Sequence, residues 1–479
     1  MGRPIREESS FPKYTLEKYN VNVKVIKYVP VLILFAITSL EVFSILTNPA
    51  RSPSLIGFLK LTFLIPLPLV LSAFIGFLAI NEADFVLQRR SQSKDYKVIF
   101  QITSRGFNVN AVMRSVESVK YWAKKYLKDY EIWLVTEPDA KIGNIDGVNV
   151  IKVPSDFTTN NNTMFKARAL EYARDKRRRK HCARDDVWVY FMDEESVVGE
   201  DTILGIIDFI ENNRGEIGQG LIVYSNLFGK NLVTSLDDSI RSSGDVSLFY
   251  FQIMTGFAIW MHGSHLLMRS DIEDSIGWDF GITWGEDSLF ILEAQRRGYR
   301  LKWLKGRLYE QSPFTVRDFL KQRRRWVFHS LDVLRRKMSV KVKMSYFYSL
   351  LAWTLVLPNL FIAILSIQSK ALFPFNNSLI LLTAPVSAYW ISSYPVGLYL
   401  NTQPLGLPLR KLALYSVVAV VVGTPLEGIA VWYAILTAVW MKKIGYEVIQ
   451  KDEEKDKKSW VTRCFVALFN LFHRHDMIH

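Results

Sequence analysis

Five long stretches almost free of charge set the first limit on this chain. Leu61 to Ile80 contains no charged residue, and neither do Tyr346 to Ile367 and Ser378 to Leu400. Tyr28 to Leu46 is apolar apart from Glu41, while Leu412 to Trp440 carries Glu427 and is interrupted by Gly423-Thr424-Pro425. A helix needs about 20 apolar residues to cross a hydrocarbon core. Core helices of a soluble domain rarely stay free of charge for so long. The chain therefore reads as an integral, multi-pass membrane protein.

Basic residues give the expected orientation. The head before the first run holds Arg3, Arg6, Lys13, Lys18, Lys24 and Lys27, whereas the link between the first two runs offers mainly Arg51 and Lys60. Arg89, Arg90 and Lys94 follow the second run, and Arg335, Arg336, Lys337, Lys341 and Lys343 precede the third. Lys and Arg collect on the cytosolic side, so the head and the central region are expected in the cytosol. The long charged head also argues against a cleaved secretory signal. Five simple crossings would leave Lys442 and Lys443 outside, so the 412–440 run is expected to fold back at Gly423-Thr424-Pro425 as a hairpin. The expected organisation is a head with two membrane helices (1–80), a hydrophilic domain (81–345), further membrane helices (346–441) and a cytosolic tail (442–479). In that tail Val461, Cys464, Phe465, Leu468 and Phe472 recur at helical spacing. They suit a helix lying in the membrane interface or packed on the hydrophilic domain.

The formal net charge of +14 raises nucleic acid as a partner, most of all at Arg177-Arg178-Arg179-Lys180. No zinc-finger, homeodomain or RNA-binding signature accompanies that run. Beside a bilayer, a surface facing anionic lipid or a solvated helix end explains it better, so membrane lipids are expected as partners and nucleic acid is not. The two cysteines, Cys182 and Cys464, are too few and too distant for a disulfide framework or a zinc site.

Residues 81–345 alternate between the two hydrophobic periods. Lys97–Thr103 reads as a buried strand, and Val109, Val112, Val116 and Val119 mark one face of a following helix. Glu131–Thr136 and Val148–Val153 read as strands, Met164–Arg178 as a helix, and Val187–Met192 as a strand. This β-α-β alternation predicts an α/β domain with a mostly parallel sheet covered by helices. Ligands in such sheets bind beyond the carboxyl ends of the strands, where Thr103, Thr136 and Met192 would meet.

Three strings carry chemistry there. Asp193-Glu194-Glu195 follows the last of these strands, and Asp193 and Glu195 can both reach one hard, oxygen-preferring cation. Alone, the cluster would read as a turn with solvated acids; the apolar strand in front aims it at a cleft instead. Glu286-Asp287 opens a predicted helix over Ser288–Arg297, where acids are also favoured by the helix dipole. A carboxylate held there can take a proton from a hydroxyl. Gln322-Arg323-Arg324-Arg325-Trp326 offers guanidinium forks for phosphate oxygens and an indole for the face of a sugar. Arg323 and Arg324 also suit a basic face against lipid headgroups. Metal, base and diphosphate partner together are what moving a sugar off a nucleotide diphosphate requires.

The ordered set resembles the membrane-integrated family 2 glycosyltransferases, and the wording around the motifs is similar to their Egghead type β-1,4-mannosyltransferase branch. Lys166-Ala167-Arg168-Ala169-Leu170, His262-Gly263-Ser264, Asp279-Phe280-Gly281, Ser312-Pro313-Phe314-Thr315 and Glu427-Gly428 carry the finer likeness. The resemblance implies a Rossmann-like GT-A fold inserted between transmembrane helices. It implies donor contacts from Thr103, Arg105, Glu137, Lys166, Arg168, Asp193, Gln322 and Arg325. Asp193 and Glu195 would hold Mg2+ or Mn2+, Asp287 would be the base with Glu286 beside it, and Trp326 and His262 would face the acceptor. His262 also reads as a satisfied core histidine. Two departures stand out: Glu195 where many members have Asp, and Gly285 where Thr is frequent.

The expected activity is an inverting transfer of a hexose, first mannose from GDP-mannose, to a lipid-linked acceptor at the cytosolic membrane face. A UDP-hexose donor, a processive polysaccharide synthase and a non-enzymatic membrane scaffold are the alternatives. The scaffold would be marked by broken acidic motifs, which this chain does not have.

Overall fold

The computed structural model describes residues 11–47, 55–181, 184–213, 215–369 and 377–440. Lys442, Lys443 and the interfacial helix expected at 461–472 lie outside the described residues, as do Arg3, Arg6, Arg51, Cys182 and Cys464.

The central region folds around one eight-stranded sheet. Its strands are β1 (Lys97–Ser104), β2 (Asp129–Thr136), β3 (Asn149–Lys152), β4 (Val187–Asp193), β5 (Val197–Val198), β6 (Ile217–Val223), β7 (Leu266–Arg269) and β8 (Leu301–Tyr309), in the order β3-β2-β1-β4-β7-β6-β8-β5. The β3, β2, β1 and β4 half is parallel throughout, β6 and β8 are parallel, and β7 and β5 run against their neighbours. The sheet is thus mixed but mostly parallel, as the alternation predicts. Val187 to Met192 are all buried, which is why β4 reads as a continuous apolar run rather than an alternating one. Val112, Val116 and Val119 of helix Val109–Tyr126 pack on the sheet beside Phe100, Ile102, Leu134 and Tyr190.

Among the described residues, three helices are long and apolar enough to cross a membrane: Leu16–Thr47, Leu379–Leu405 and Leu409–Ala438. The number rises to five if each of two bent pairs is one span. These are Leu55–Leu64 with Leu67–Ala79, bent by 44°, and Val340–Thr354 with Val356–Ser366, bent by 41°. Proline accounts for both bends. Its ring lacks an N–H and clashes with the carbonyl four residues back. Pro66 and Pro68 stand at the first break, and Pro358 comes four residues after Thr354, where the preceding helix ends.

The expected hairpin at Gly423-Thr424-Pro425 is absent. Leu409–Trp440 is one 32-residue helix with Pro425 inside it. Gly423 serves close packing: a Cβ there would lie 2.6 Å from Cε1 of Tyr394 on the neighbouring helix Ala384–Thr402. Packed neighbours support a proline that would break an isolated helix. Gly397 similarly seats helix Ala384–Thr402 on the hydrophilic domain, since a Cβ would fall 1.7 Å from the Ser239 carbonyl oxygen. Nearby, Asn401 Oδ1 accepts from the Tyr224 amide at 2.9 Å and from Ser242 Oγ at 2.6 Å. The apolar helices and the sheet domain therefore share one packed interface.

Candidate active site

Register places the first acids. Thr103 of β1 pairs with Asp193 of β4, and Ser104 pairs with Thr136, so three strand ends form one edge. Glu194 turns back from this edge. It accepts hydrogen bonds from Ser104 Oγ and Asn108 Nδ2, fixing the loop between β1 and its helix. Asp193 and Glu195 on either side of it line a cavity of about 500 Å³, together with Thr103, Arg105 and Glu137.

The second acidic group closes the same cavity. Glu286 and Asp287 open helix Glu286–Arg296, and Asp287 Oδ1 accepts from the Ser288 amide at 2.8 Å. Burial and the adjoining Glu286 push the Asp287 carboxyl up to about 7, with the Lys166 ammonium working the other way. Lys166 links the two acidic groups. Its Nζ contacts Asp193 Oδ1 and donates to the Gly263 carbonyl at 3.2 Å. Burial opposes its charge, but Asp193, Glu286 and Asp287 outweigh that, and its pKa is raised.

Helix Val316–Arg335 forms the opposite wall with Gln322, Arg325 and Trp326. The arginines between them behave differently from expectation. Arg323 and Arg324 do not face lipid headgroups; both are buried. Arg323 is wholly enclosed, bonded to Asp237 at 3.1 Å, Asp238 at 3.0 Å and Glu427 at 3.0 Å, and it donates to Gln322 Oε1 at 2.6 Å. Arg324 Nη1 reaches the Tyr433 hydroxyl at 3.3 Å. Partners on helix Leu409–Trp440 claim both side chains before solvent or lipid can.

Arg168 is the one expected donor contact that does not line the cavity. Its guanidinium bonds to Glu137 and to the carbonyls of Pro154 at 3.2 Å and Phe157 at 3.0 Å, so it steadies Glu137 from behind. Arg105 does line the cavity and reaches Asp139 at 3.3 Å. His262 is a satisfied, half-buried histidine that also reaches the cavity, and its Nε2 lies 2.7 Å from Asp245 Oδ1. Burial resists its protonation, Asp245 outweighs that, and its pKa is raised.

Glu310 and Arg241 are two of the cavity residues that escaped the sequence reading. Glu310 follows β8 and accepts from Ser264 Oγ and, at 3.3 Å, from Ser196 Oγ. Burial and the charges of Asp193 and Glu195 push it up to about 7. The rule that singled out Asp193, an acid at a strand's carboxyl end, would have found it had β8 been recognised. Arg241 lies between the rings of Tyr224 at 4.3 Å and Trp326 at 4.9 Å. No spacing rule marks it, because it comes from a short helix, Ser239–Gly244.

Among the described residues, no three His, Cys, Asp or Glu side chains stand together as a ligand set. Asp193 and Glu195 line the cavity at the end of β4 and offer oxygen atoms only. Mg2+ commonly takes one or two carboxylates and completes its shell with substrate phosphates and water.

A mostly parallel sheet, with acids at its carboxyl edge and an arginine-tryptophan helix opposite, defines a GT-A-like glycosyltransferase. The family model described as "Glycosyl transferase family group 2" matches residues 188–441, and the chain belongs to that family. It is 28% identical over 411 residues to the β-1,4-mannosyltransferase egh of Drosophila melanogaster, spanning 83% of this chain and 88% of the relative. Against the β-1,4-mannosyltransferase bre-3 of Caenorhabditis briggsae it is 28% identical over 309 residues, 62% of this chain and 66% of the relative. A solved mannosyltransferase, PcManGT from Pyrobaculum calidifontis in complex with GDP-Man and Mn2+, aligns with 86% of this chain and 99% of its own at 12% identity and a TM-score of 0.41.

Proposed function

We propose that this protein is a metal-dependent, inverting β-1,4-mannosyltransferase that moves mannose from GDP-mannose to a lipid-linked sugar at the cytosolic face of a membrane. One observation carries the reading. A single cavity joins Asp193 and Glu195 to Glu286 and Asp287, and continues to Tyr346, Ser349 and Trp353 on the apolar helix Val340–Thr354. An acceptor held partly in lipid could present its sugar to this cavity without leaving the membrane. The two relatives above supply the sugar and the linkage.

In this reading the nucleotide lies along the β1 and β2 edge, against Thr103, Arg105 and Glu137. Asp193 and Glu195 hold Mg2+ or Mn2+, which when bound offsets the charge of the departing diphosphate. Arg325 and Arg241 add fixed positive charge on the opposite wall, and Trp326 offers its ring face to a sugar. Asp287 takes the proton from the acceptor hydroxyl. That oxygen attacks the anomeric carbon from the face opposite the diphosphate, the carbon–oxygen bond to the diphosphate breaks, and the configuration inverts. A carboxyl near 7 suits this task, since a base works best when its pKa lies near the operating pH. The basic flanks Arg89-Arg90 and Arg335-Arg336-Lys337 support the cytosolic orientation.

The test is a screen of purified protein in detergent, with Mg2+ or Mn2+, against labelled GDP-mannose, UDP-glucose and UDP-N-acetylglucosamine plus a membrane lipid extract. Label should enter the lipid fraction from GDP-mannose and be released by a β-mannosidase. Incorporation from a UDP-sugar alone would overturn the donor assignment.

A further inference from the structure

The wall beside the proposed base contains two polar atoms with nothing to bond. Trp284 Nε1 and His329 Nδ1 are both buried without a hydrogen-bond partner, and both residues line the cavity. Buried polar atoms in folded proteins are nearly always paired, because an unpaired one has given up its water for nothing in return. An orphan donor and an orphan acceptor on one cavity wall thus point to a ligand carrying both functions.

The protonation of His329 follows from its neighbours. Tyr346 O–H has one hydrogen and gives it to the Ile259 carbonyl, which can only accept. The Tyr346 oxygen can then only accept from His329 Nε2, 3.3 Å away, so Nε2 carries the ring proton. Nδ1 is left with a bare lone pair. Burial and the charge of Arg336 pull the imidazole down to about 4, so it stays neutral at physiological pH and Nδ1 remains an acceptor.

Gly285 makes room for this ring. A Cβ at 285 would lie 2.3 Å from Nδ1, 2.4 Å from Cγ and 2.6 Å from Cε1 of His329. Three nearly equal distances mean that the face of the ring covers Gly285, which leaves the in-plane lone pair of Nδ1 aimed elsewhere. Any larger residue at 285 would displace the imidazole. Gly285 and His329 are therefore one unit, placed two residues from Asp287.

We propose that Gly285, His329 and Trp284 form a hydroxyl-recognition subsite for the acceptor sugar, in which Nδ1 of His329 accepts from, and Nε1 of Trp284 donates to, hydroxyls other than the one that attacks. The subsite selects the acceptor and has no part in breaking the donor bond. It rests on the reading that the Asp287 side of the cavity receives the acceptor.

The experiment compares two reactions of the same detergent-solubilised protein: transfer from the labelled donor to octyl β-hexosides, and hydrolysis of that donor by water. His329→Ala should lower kcat/KM for the hexoside about tenfold, as expected for one lost neutral hydrogen bond, and leave hydrolysis unchanged. His329→Asn, whose Oδ1 can stand near the Nδ1 position, should recover part of the loss. Gly285→Ala should resemble His329→Ala, and the double variant should be no worse than either alone, because both remove the same contact. Among monodeoxy octyl hexosides, at least one should be a poor acceptor for the native protein, yet no worse than its parent for His329→Ala. Hydrolysis falling in step with transfer, additive losses in the double variant, or deoxy preferences unchanged by His329→Ala would overturn the proposal and leave the proposed function standing. Donor hydrolysis with no transfer to any octyl hexoside or to a membrane lipid extract would overturn the acceptor reading and the subsite with it.

Discussion

Arg323 Nε donates to Glu427 Oε2 at 3.0 Å, tying the helix that carries Gln322, Arg325 and Trp326 to the longest apolar helix of the chain. The bond belongs to a larger cluster. Asp237 and Asp238 share the same guanidinium, and Trp353 Nε1, from a third helix, donates to Glu427 Oε1 at 3.1 Å. The cavity wall is thus fixed to the membrane-length helices by charge as well as by packing. Arg323 is the hub, since it also holds Gln322.

Removing the hub should cost more than removing one spoke. Arg323→Ala leaves Asp237 and Glu427 buried without their cation and Asp238 with only Arg241 at 3.9 Å, a loss of about 3–5 kcal/mol for a broken buried pair. Glu427→Gln keeps the shape and leaves Asp237 and Asp238 to hold Arg323, so its loss should be smaller. Thermal unfolding of both variants in one detergent decides the matter. An Arg323→Ala protein as stable as the native one would mean that the cluster does not anchor the wall.

The pH profile of turnover should carry the signature of Asp287. As a base it works only when ionised, and its ionised fraction grows as pH rises through its pKa. Turnover at saturating substrates should therefore fall below a midpoint near 7, the value to which burial and Glu286 push the group. Neighbouring charge should move that midpoint in opposite senses. Glu286→Gln removes a negative charge that raises the pKa, so the midpoint should drop. Lys166→Met removes a positive charge that lowers it, so the midpoint should rise. Unmoved midpoints in both variants would assign the acidic limb to some other group.

Much of this architecture is legible in the sequence, for definite reasons. Strands β1, β2 and β4 are apolar runs ending at Ser104, Thr136 and Asp193, and a parallel sheet buries such strands on both faces. Asp193 and Glu195 reach the cavity because the parallel sheet brings strand ends to one edge, while Glu286 and Asp287 reach it from the start of one helix and Gln322, Arg325 and Trp326 from the side of another. What stayed hidden depends on partners distant in sequence. Arg323 looks like a surface cation until Glu427, 104 positions away, is seen to hold it. Gly285 looks like a departure from the family until His329 is seen to fill the space above it. Pro425 looks like a helix breaker because the packing that supports it comes from another helix.

Metal dependence should follow from the two carboxylates at the β4 end. Chelation with EDTA should abolish transfer, and Mg2+ or Mn2+ should restore it, because the proposed ligands Asp193 and Glu195 offer only oxygen atoms, which hard cations prefer. Glu195→Gln should raise the metal concentration needed for half-maximal transfer. Full transfer in excess chelator would remove the metal from the mechanism.

Chemistry and donor binding should separate at Asp287. Asp287→Asn keeps the side-chain shape and removes the proposed base, while Asp193 and Glu195, the proposed metal ligands, remain. The loss should fall on turnover, by roughly two to four orders of magnitude for a missing general base. Donor affinity should change little, because the proton passes to Asp287 only as the acceptor attacks. Asp193→Asn should differ in kind. It removes both a proposed metal contact and the partner of Lys166 Nζ, so donor affinity and metal dependence should weaken together. Two titrations on each variant distinguish these outcomes, one of labelled donor binding and one of sugar transfer. Native-rate transfer by Asp287→Asn would place the base elsewhere, and Glu286, buried beside it in the same cavity, would be the next residue to replace.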